Sequence, residues 1–368
     1  MSTSNSPASP LKKKLIVSGG GTGGHIYAGI AIIQEFKSRF PAGEVLFVGA
    51  RGGIEERLVP RENIQLQTLA LGSLKNVSLL RKLVSLFKVP LALLASARIL
   101  LSFKPDAVIG VGGYASGPVV LMAKLLSPFL HAHTAVLEQN AVSGFTNRIL
   151  GKCVDTVFTA FPGIENQFPG KNVVMSGNPI RGTFSRAPVK GASSSLCVFI
   201  FGGSQGALGM NTLVINSLDF LKDLPIKWIH QTGEVDYQRV KSKYESLGLD
   251  ASVEKFIYTM KEAYGEADLV IARAGASTLA EIAAVERPIF LVPLPTAADN
   301  HQEVNGRLFE VKGAARVFLQ NKTSPEEFAK EVRALLLDRT AQEKFRLNLR
   351  AFHRPDCTKV IVNSLVVG

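Results

Sequence analysis

The fold of this chain is decided by a glycine-rich segment near its beginning, which directly follows a short apolar run. The segment is Leu15-Ile16-Val17-Ser18-Gly19-Gly20-Gly21-Thr22-Gly23-Gly24-His25. A buried strand, a glycine cluster and a helix start, in this order, are typical of a Rossmann-like domain, whose free N–H groups at the helix start bind phosphate. Gly19, Gly21 and Gly24 also satisfy the dinucleotide fingerprint G-x-G-x-x-G, which is a weak signal on its own.

That fingerprint expects an acid near the end of the second strand, where it would bind the ribose of NAD. After Val48 the chain has Arg51 but no acid before Glu55. An NADP-dependent oxidoreductase, with Arg51 facing the 2′-phosphate, therefore stays open only as an alternative.

The pattern of strand, glycine turn and helix occurs twice along the chain. Buried parallel strands are predicted at 15–18, 45–48, 107–110 and 134–137, and again at 196–201, 226–231, 268–272 and 288–292. A length of 368 residues also favours two cores over one. We therefore predict an α/β protein with two doubly wound, Rossmann-like domains facing each other across a cleft. The expected domains are 11–180 and 181–345, with a C-terminal helix over 346–368 packing back on the first domain.

Three further polar turns follow predicted strands and are candidate ligand sites. Two are glycine-rich, at 110–118 and 202–206, and the third spans 273–281. Each glycine turn could be only a tight strand-to-helix connection, but three of them in two domains, at 18–25, 110–118 and 202–206, favour phosphate binding. In the turn at 273–281, Thr278 and Glu281 have the spacing of a capping box, so Glu281 either satisfies backbone N–H groups or binds the ribose of a nucleotide.

Charge and cysteine content narrow the class of protein and its compartment. The first 180 residues carry 18 Lys and Arg against 9 Asp and Glu, whereas the rest carries 24 against 21. The first domain is therefore expected to face something anionic. Cys153, Cys197 and Cys357 have no metal-ligand spacing and indicate a reducing compartment. With neither a signal peptide nor an apolar run long enough to span a bilayer, we expect a cytoplasmic protein.

Six motifs in a fixed order resemble the MurG family, the N-acetylglucosaminyltransferases of bacterial peptidoglycan synthesis. They are the segments 20–25, 112–118, 138–140, 177–181, 202–206 and 299–302. The resemblance extends from about residue 14 to the end of the sequence. It implies a GT-B fold and inverting transfer of N-acetylglucosamine from UDP-N-acetylglucosamine to the muramoyl 4-hydroxyl of lipid I, which is linked to undecaprenyl diphosphate, giving lipid II.

The same resemblance implies a set of site residues. Those expected at the donor from the first domain and the hinge are Thr22, Gly23, Gly24, Asn140 and Arg181. Those expected around uracil, ribose, diphosphate and sugar from the second domain are Ser204, Ile257, Ala276, Ser277, Thr278, Leu279, Ala280, Glu281 and Gln302. The turn after the third predicted strand would bind the acceptor diphosphate through Gly112, Gly113, Tyr114 and Ser116.

The chemistry requires a base for the acceptor hydroxyl and stabilisation of the departing UDP. His25 is one candidate base, because a helix N-terminus favours neutral imidazole. Glu138, at the end of a predicted strand, is the other. The turn at 204–206 and the helix start at Ser277 would receive the leaving-group charge. No cluster of His, Asp and Cys indicates a metal, so no cofactor is expected to be required.

A basic, apolar stretch lies between Glu62 and Asp106, where the sequence has no acid. Its cations are Lys75, Arg81, Lys82, Lys88, Arg98 and Lys104, interspersed with leucine, valine and phenylalanine. This pattern predicts an interfacial helix on anionic inner-leaflet lipid, and hence a peripheral protein on the cytoplasmic face of the cell membrane. A core helix with a solvated basic face is the alternative. The stretch has few aromatics for stacking and no nucleic-acid-binding motif, which argues against nucleic acid.

Besides the NADP-dependent oxidoreductase, two other functions compete with glycosyl transfer to a lipid-linked acceptor. A UDP-N-acetylglucosamine 2-epimerase has the same kind of fold, but it would need no basic apolar stretch. A nucleotide-sensing module without catalytic activity is the third possibility.

Overall fold

The computed structural model describes residues 12–70, 79–180, 182–184, 195–203 and 205–366, with the backbone alone for 79–88 and 183. The chain forms two compact units. Unit 1 runs to Gln139, resumes over Ser143–Pro179 and resumes again from Asp356. Unit 2 comprises Asn140–Val142 and Ile180–Pro355. Arg181 and Ser204, both expected at the donor, lie outside the described residues.

Unit 1 is built on a parallel sheet with the strand order β3-β2-β1-β4-β5-β6-β7. The strands are β1 Lys14–Gly19, β2 Glu44–Ala50, β3 Leu66–Leu69, β4 Ala107–Gly112, β5 His133–Glu138, β6 Thr156–Thr159 and β7 Asn172–Met175. The helices of unit 1 up to Pro179 are α1 Gly23–Arg39, α2 Glu55–Leu58, α3 Leu79–Phe103, α4 Ser116–Leu130 and α5 Phe145–Leu150. Strand β1 is central, so Leu15, Ile16 and Val17 are fully buried, which explains the continuous apolar run in the sequence.

The strand order of unit 1 reverses at β1, which pairs with β2 on one side and β4 on the other. The loops that leave β1 and β4 therefore diverge at the carboxyl ends of these two strands. A doubly wound sheet binds its ligands at such a switch point. The two glycine turns of unit 1 occupy this position.

Unit 2 repeats the design with a parallel sheet of order β10-β9-β8-β11-β12-β13. Its strands are β8 Leu196–Phe201, β9 Ile226–Gln231, β10 Ala251–Glu254, β11 Leu269–Ala272, β12 Ile289–Leu291 and β13 Arg316–Val317. Its helices are α6 Leu208–Ser217, α7 Tyr237–Ser246, α8 Met260–Glu266, α9 Ala276–Val285, α10 His301–Val311, α11 Pro325–Leu337 and α12 Arg339–Arg350. The switch point lies between β8 and β11, which carry the glycine turn at 202–206 and the turn at 273–275. The prediction of two doubly wound α/β domains is confirmed.

The C-terminal region differs from the single helix predicted over 346–368. Helix α12 ends at Arg350 in unit 2, and α13, Cys357–Val366, begins in unit 1. Pro355 lies in the break, where its ring and its missing N–H disfavour a continuous helix. Helix α13 places Ile361, Val362 and Leu365 in the core of unit 1. Within the described ranges, no helix combines the length and apolarity needed to cross a membrane.

Candidate active site

The first glycine turn fixes the orientation and the tautomer of His25. Thr22 caps α1 by accepting the N–H of His25 on its hydroxyl at 3.4 Å. The ring Nδ1 of His25 lies 3.1 Å from the carbonyl oxygen of Gly20. A carbonyl only accepts, so Nδ1 carries the proton and Nε2 is the basic nitrogen of the neutral ring. The side chain is half-buried, which leaves it accessible.

The turn after β4 packs directly against the first one. The N–H of Gly20 donates to the carbonyl of Gly112 at 3.2 Å, and a Cβ built on Gly112 would lie 2.8 Å from Nε2 of His25. A Cβ on Gly113 would overlap the carbonyl of Gly20. Glycine is therefore needed here because the two turns interlock around the His25 ring, a reason separate from any bound phosphate.

Two other residues predicted at the acceptor diphosphate occupy this second turn. Tyr114 is half-buried, and burial raises the pKa of its phenol. Ser116 is fully buried, and its hydroxyl lies 2.9 Å from the carbonyls of Ser18 and Gly112. Ser116 thus joins the ends of β1 and β4, and this role shapes the turn.

Glu138 lies at the end of β5 and is only 2% exposed. Its Oε2 accepts from the N–H of Gly144 at 3.0 Å and from Nδ2 of Asn147 at 2.9 Å. These bonds fix the start of α5. Asn140, two residues further on, belongs to unit 2, where its Oδ1 accepts from Nδ2 of Asn305 at 3.2 Å.

The glycine turn of unit 2 is held by a residue that sequence analysis missed. Gln231, at the end of β9, donates from Nε2 to the carbonyl of Gly203 at 3.0 Å. Its Oε1 accepts the N–H of Ile257 at 2.8 Å. One buried amide thus fixes Ile257, predicted at the uracil, relative to the turn predicted at the diphosphate. The only sequence signal was a polar residue at the end of a buried strand.

A buried polar network lies behind the same turn. His230 is fully buried between the Tyr244 hydroxyl and Oδ1 of Asn211, each 3.2 Å from a ring nitrogen. Burial lowers the pKa of His230 to about 3, so the ring is neutral. Nδ2 of Asn211 donates to the carbonyl of Thr232 at 3.0 Å, and that carbonyl would overlap a Cβ on Gly206. Sequence analysis did not identify His230 or Asn211, because their partners are distant along the chain.

The turn at 273–275 in unit 2 leads into α9, which begins at Ala276 with Gly275 as its N-cap. Thr278 therefore lies inside the helix, and the capping-box interpretation of Thr278 and Glu281 is wrong. The reason is that Gly275 already provides the extended residue that a helix start requires. Glu281 is half-buried, and its Oε2 accepts from the Tyr264 hydroxyl at 3.2 Å. The first turn of α9 directs the N–H groups at 276–278 towards any anion bound there.

The loop after β12 is fixed by two side chains. Arg273 is 8% exposed and donates from Nη1 to the carbonyls of Val292 and Pro293, at 2.8 and 2.9 Å. Burial lowers its pKa to about 10. Gln302 accepts the N–H of Leu294 on Oε1 at 2.9 Å. This bond fixes the orientation of the side-chain amide, and with it the direction of the NH₂ group. Among the described residues, no group of three His, Cys, Asp or Glu side chains could hold a metal ion.

Comparisons with known protein families agree with this architecture. The glycosyltransferase family 28 N-terminal domain matches residues 15–159, and the glycosyltransferase family 28 C-terminal domain matches residues 197–358. The fold and the paired glycine turns thus define a two-domain glycosyltransferase of the GT-B fold.

Individual relatives place the chain within that class. It is 44% identical over 356 residues to the UDP-N-acetylglucosamine–N-acetylmuramyl-(pentapeptide) pyrophosphoryl-undecaprenol N-acetylglucosamine transferase of Anaeromyxobacter sp. (strain Fw109-5), covering 95% of this chain and 92% of the relative. The crystal structure of Acinetobacter baumannii MurG superposes with a TM-score of 0.80 at 30% identity, covering 97% of this chain and 100% of that one. The chain therefore belongs to the MurG family.

The fold alone is shared more widely. A putative UDP-N-acetylglucosamine 2-epimerase from Listeria monocytogenes superposes with a TM-score of 0.69 at 11% identity, covering 96% of each chain. That similarity shows the architecture and says nothing of the reaction.

Proposed function

We propose that this chain transfers N-acetylglucosamine from UDP-N-acetylglucosamine to the muramoyl 4-hydroxyl of lipid I, forming lipid II with inversion at the anomeric carbon. The observation that carries the proposal is the fixed His25 ring, whose basic Nε2 lies against the glycine turn after β4. A relative that is 44% identical over nearly the whole chain bears the name of this activity.

His25 is the base that we propose for the acceptor hydroxyl. Its Nδ1–H is bonded to the carbonyl of Gly20, which presents Nε2 as the proton acceptor. Glu138 is less suited to this task, because it is 2% exposed and its Oε2 already accepts two hydrogen bonds. A base must come within hydrogen-bond distance of the proton that it removes.

The donor is proposed to bind at the switch point of unit 2. The start of α9 directs backbone N–H groups to the carboxyl end of the sheet, where the glycine turn at 202–206 also lies, and these groups would stabilise the charge that develops on departing UDP. Glu281 would accept from the ribose hydroxyls, Ile257 would contact the uracil and Gln302 would contact the sugar. This arrangement stabilises the leaving group through backbone groups, and we propose that no metal or other cofactor is required.

We further propose that unit 1 docks peripherally on anionic lipid at the cytoplasmic face of the cell membrane. Helix α4 packs against α3 and α5, and all three expose apolar side chains. Phe129 and Phe145 are 80% and 71% exposed, and the exposed Arg148 and Lys152 are close to Phe145 along the chain. Exposed apolar groups next to cations suit the headgroup region of an anionic leaflet. Lys75, and the side chains of Arg81, Lys82 and Lys88, lie outside the described residues.

Product analysis tests the reaction. The protein is incubated with labelled UDP-N-acetylglucosamine, with and without a lipid-diphosphate muramoyl acceptor. We expect a labelled lipid product with a β-linkage, formed only when the acceptor is present. Formation of an epimer without acceptor, or of no product at all, would contradict the proposal.

The base is tested separately. His25→Ala should lower kcat by roughly 10²–10⁴-fold, the usual contribution of a general base, while the affinity for UDP stays close to that of the wild type. Glu138→Gln is the comparison variant. If it loses as much turnover while His25→Ala stays active, Glu138 is the base.

A further inference from the structure

A buried carboxylate lies directly beneath the first glycine turn. Glu55, the first residue of α2, is fully buried. It accepts the N–H of Ala50 on Oε1 at 2.8 Å and the N–H of Gly21 on Oε2 at 3.4 Å. A Cβ on Gly20 or Gly53 would overlap the carboxylate. Because it is enclosed by these turns, Glu55 does not present its carboxylate to a ribose as the acid of a dinucleotide-binding domain does.

One peptide group connects this carboxylate to His25. The peptide between Gly20 and Gly21 donates its N–H to Glu55, while its carbonyl accepts Nδ1–H of His25 at 3.1 Å. A carboxylate can only accept, so it requires the N–H of this peptide to point inward and the carbonyl to point toward the histidine. Glycine on both sides would otherwise let the peptide turn over at little cost.

We propose that Glu55 is a positioning residue for His25 and acts through the Gly20–Gly21 peptide. Glu55 fixes the direction of the peptide and polarises its carbonyl, because hydrogen bonds in a chain strengthen one another. The polarised carbonyl holds the histidine with its proton on Nδ1 and its lone pair on Nε2. The inference rests on the proposed function, in which His25 is the base.

Kinetics of the Glu55→Gln variant test this connection. The glutamine has the same size, but its NH₂ group must face one of the two N–H donors. We expect kcat to fall about 10–100-fold, the range typical of partners that orient a functional histidine, with the KM for UDP-N-acetylglucosamine unchanged. Glu56→Gln is the matched control, since that exposed carboxylate bonds the N–H of Gly52 instead and should leave kcat unchanged.

A double-mutant cycle separates positioning of His25 from general support of the fold. If Glu55 acts through His25, adding Glu55→Gln to His25→Ala should change kcat by less than about 2-fold, because the group that it positions is already absent. If the two losses multiply, the proposal is overturned. Full turnover by His25→Ala alone would instead remove the proposed base, whatever the effect of Glu55.

Nuclear magnetic resonance gives a measure independent of turnover. In protein with ¹⁵N-labelled histidine, His25 should have its proton on Nδ1 in the wild type, and should become a mixture of tautomers in Glu55→Gln. The amide proton of Gly21 in the wild type should exchange slowly with solvent, because it is bonded to a buried carboxylate. Fast exchange of this proton overturns the proposal even if the variant does not fold.

Discussion

The buried histidine behind the donor turn should make unit 2 sensitive to mild acid. In the folded protein the pKa of His230 is lowered to about 3, from 6.5 for an ordinary histidine, because burial disfavours the charged ring. Below about pH 6.5 the unfolded chain binds a proton that the folded chain does not. The free energy of unfolding therefore falls as the pH falls towards the folded pKa.

The size of this effect follows from the two pKa values. Each pH unit below the unfolded pKa costs about 1.4 kcal/mol, so His230 alone should lower the free energy of unfolding by about 2–3 kcal/mol between pH 7 and about pH 4.5. This is a large fraction of the 5–15 kcal/mol of stability that is typical of a domain.

The single tryptophan of the chain makes the assay selective for unit 2. Trp228 lies on β9, is 1% exposed and packs against Tyr244 with ring centroids 5.9 Å apart. Denaturant unfolding followed by its fluorescence should be compared between wild type and His230→Gln, which cannot titrate. We expect the variant to be less stable at pH 7 and to lose about 2–3 kcal/mol less than the wild type on acidification. Parallel losses in the two proteins would refute a neutral, buried His230.

Three further perturbations test other parts of the molecule. Glu281→Ala should raise the KM for UDP-N-acetylglucosamine about 10–100-fold, because a ribose hydroxyl loses a charged acceptor. Tyr264→Phe, which removes only the hydroxyl bonded to Glu281, should change this KM less. An unchanged KM in Glu281→Ala would contradict the ribose contact. Gly206→Ala places a Cβ against the carbonyl of Thr232, at a residue whose φ is 75°. Calorimetry should therefore show weaker UDP binding and a lower Tm. Wild-type values would show that the turn tolerates a side chain. Changing Lys75, Arg81, Lys82 and Lys88 of the basic, apolar stretch together to glutamine should release the protein from anionic vesicles, because each cation at an anionic leaflet contributes about 1 kcal/mol to binding. Activity on a soluble short-chain acceptor should be spared, and unchanged vesicle binding at low salt would refute the interfacial helix.

The sequence was sufficient where a feature is local. The strands 196–201 and 226–231 were predicted with the bounds that β8 and β9 have. For β8 the reason is an uninterrupted apolar run, which marks a strand buried on both faces. The glycine turns were located for the same reason, since each directly follows such a run. The short strands β3, β6, β7, β10 and β13 were missed, because two to four residues are too few to show a period. All of them except β6 are also partly exposed, so they lack the continuous burial of the equally short β11 and β12.

The sequence was insufficient where a side chain depends on a distant partner. The spacing of Thr278 and Glu281 predicted a capping box, yet Glu281 is bonded to Tyr264, on a different helix. Glu55 was considered only as an acid too far along the chain to bind a ribose, and its contact with Gly21 spans 34 residues. The two candidate bases also differ in burial, which the sequence does not show: Glu138 is enclosed, whereas His25 is half-buried.

Helix α13 has a consequence for how the protein is made. The core of unit 1 contains Ile361, Val362 and Leu365, but the ribosome synthesises these residues only after it has completed unit 2. During translation, the apolar face of unit 1 that α13 will cover, next to α1, therefore stays exposed while about 180 residues of unit 2 emerge and fold. Chaperones that shield apolar surface should bind nascent chains that end before α13, and should release them once this helix has left the exit tunnel.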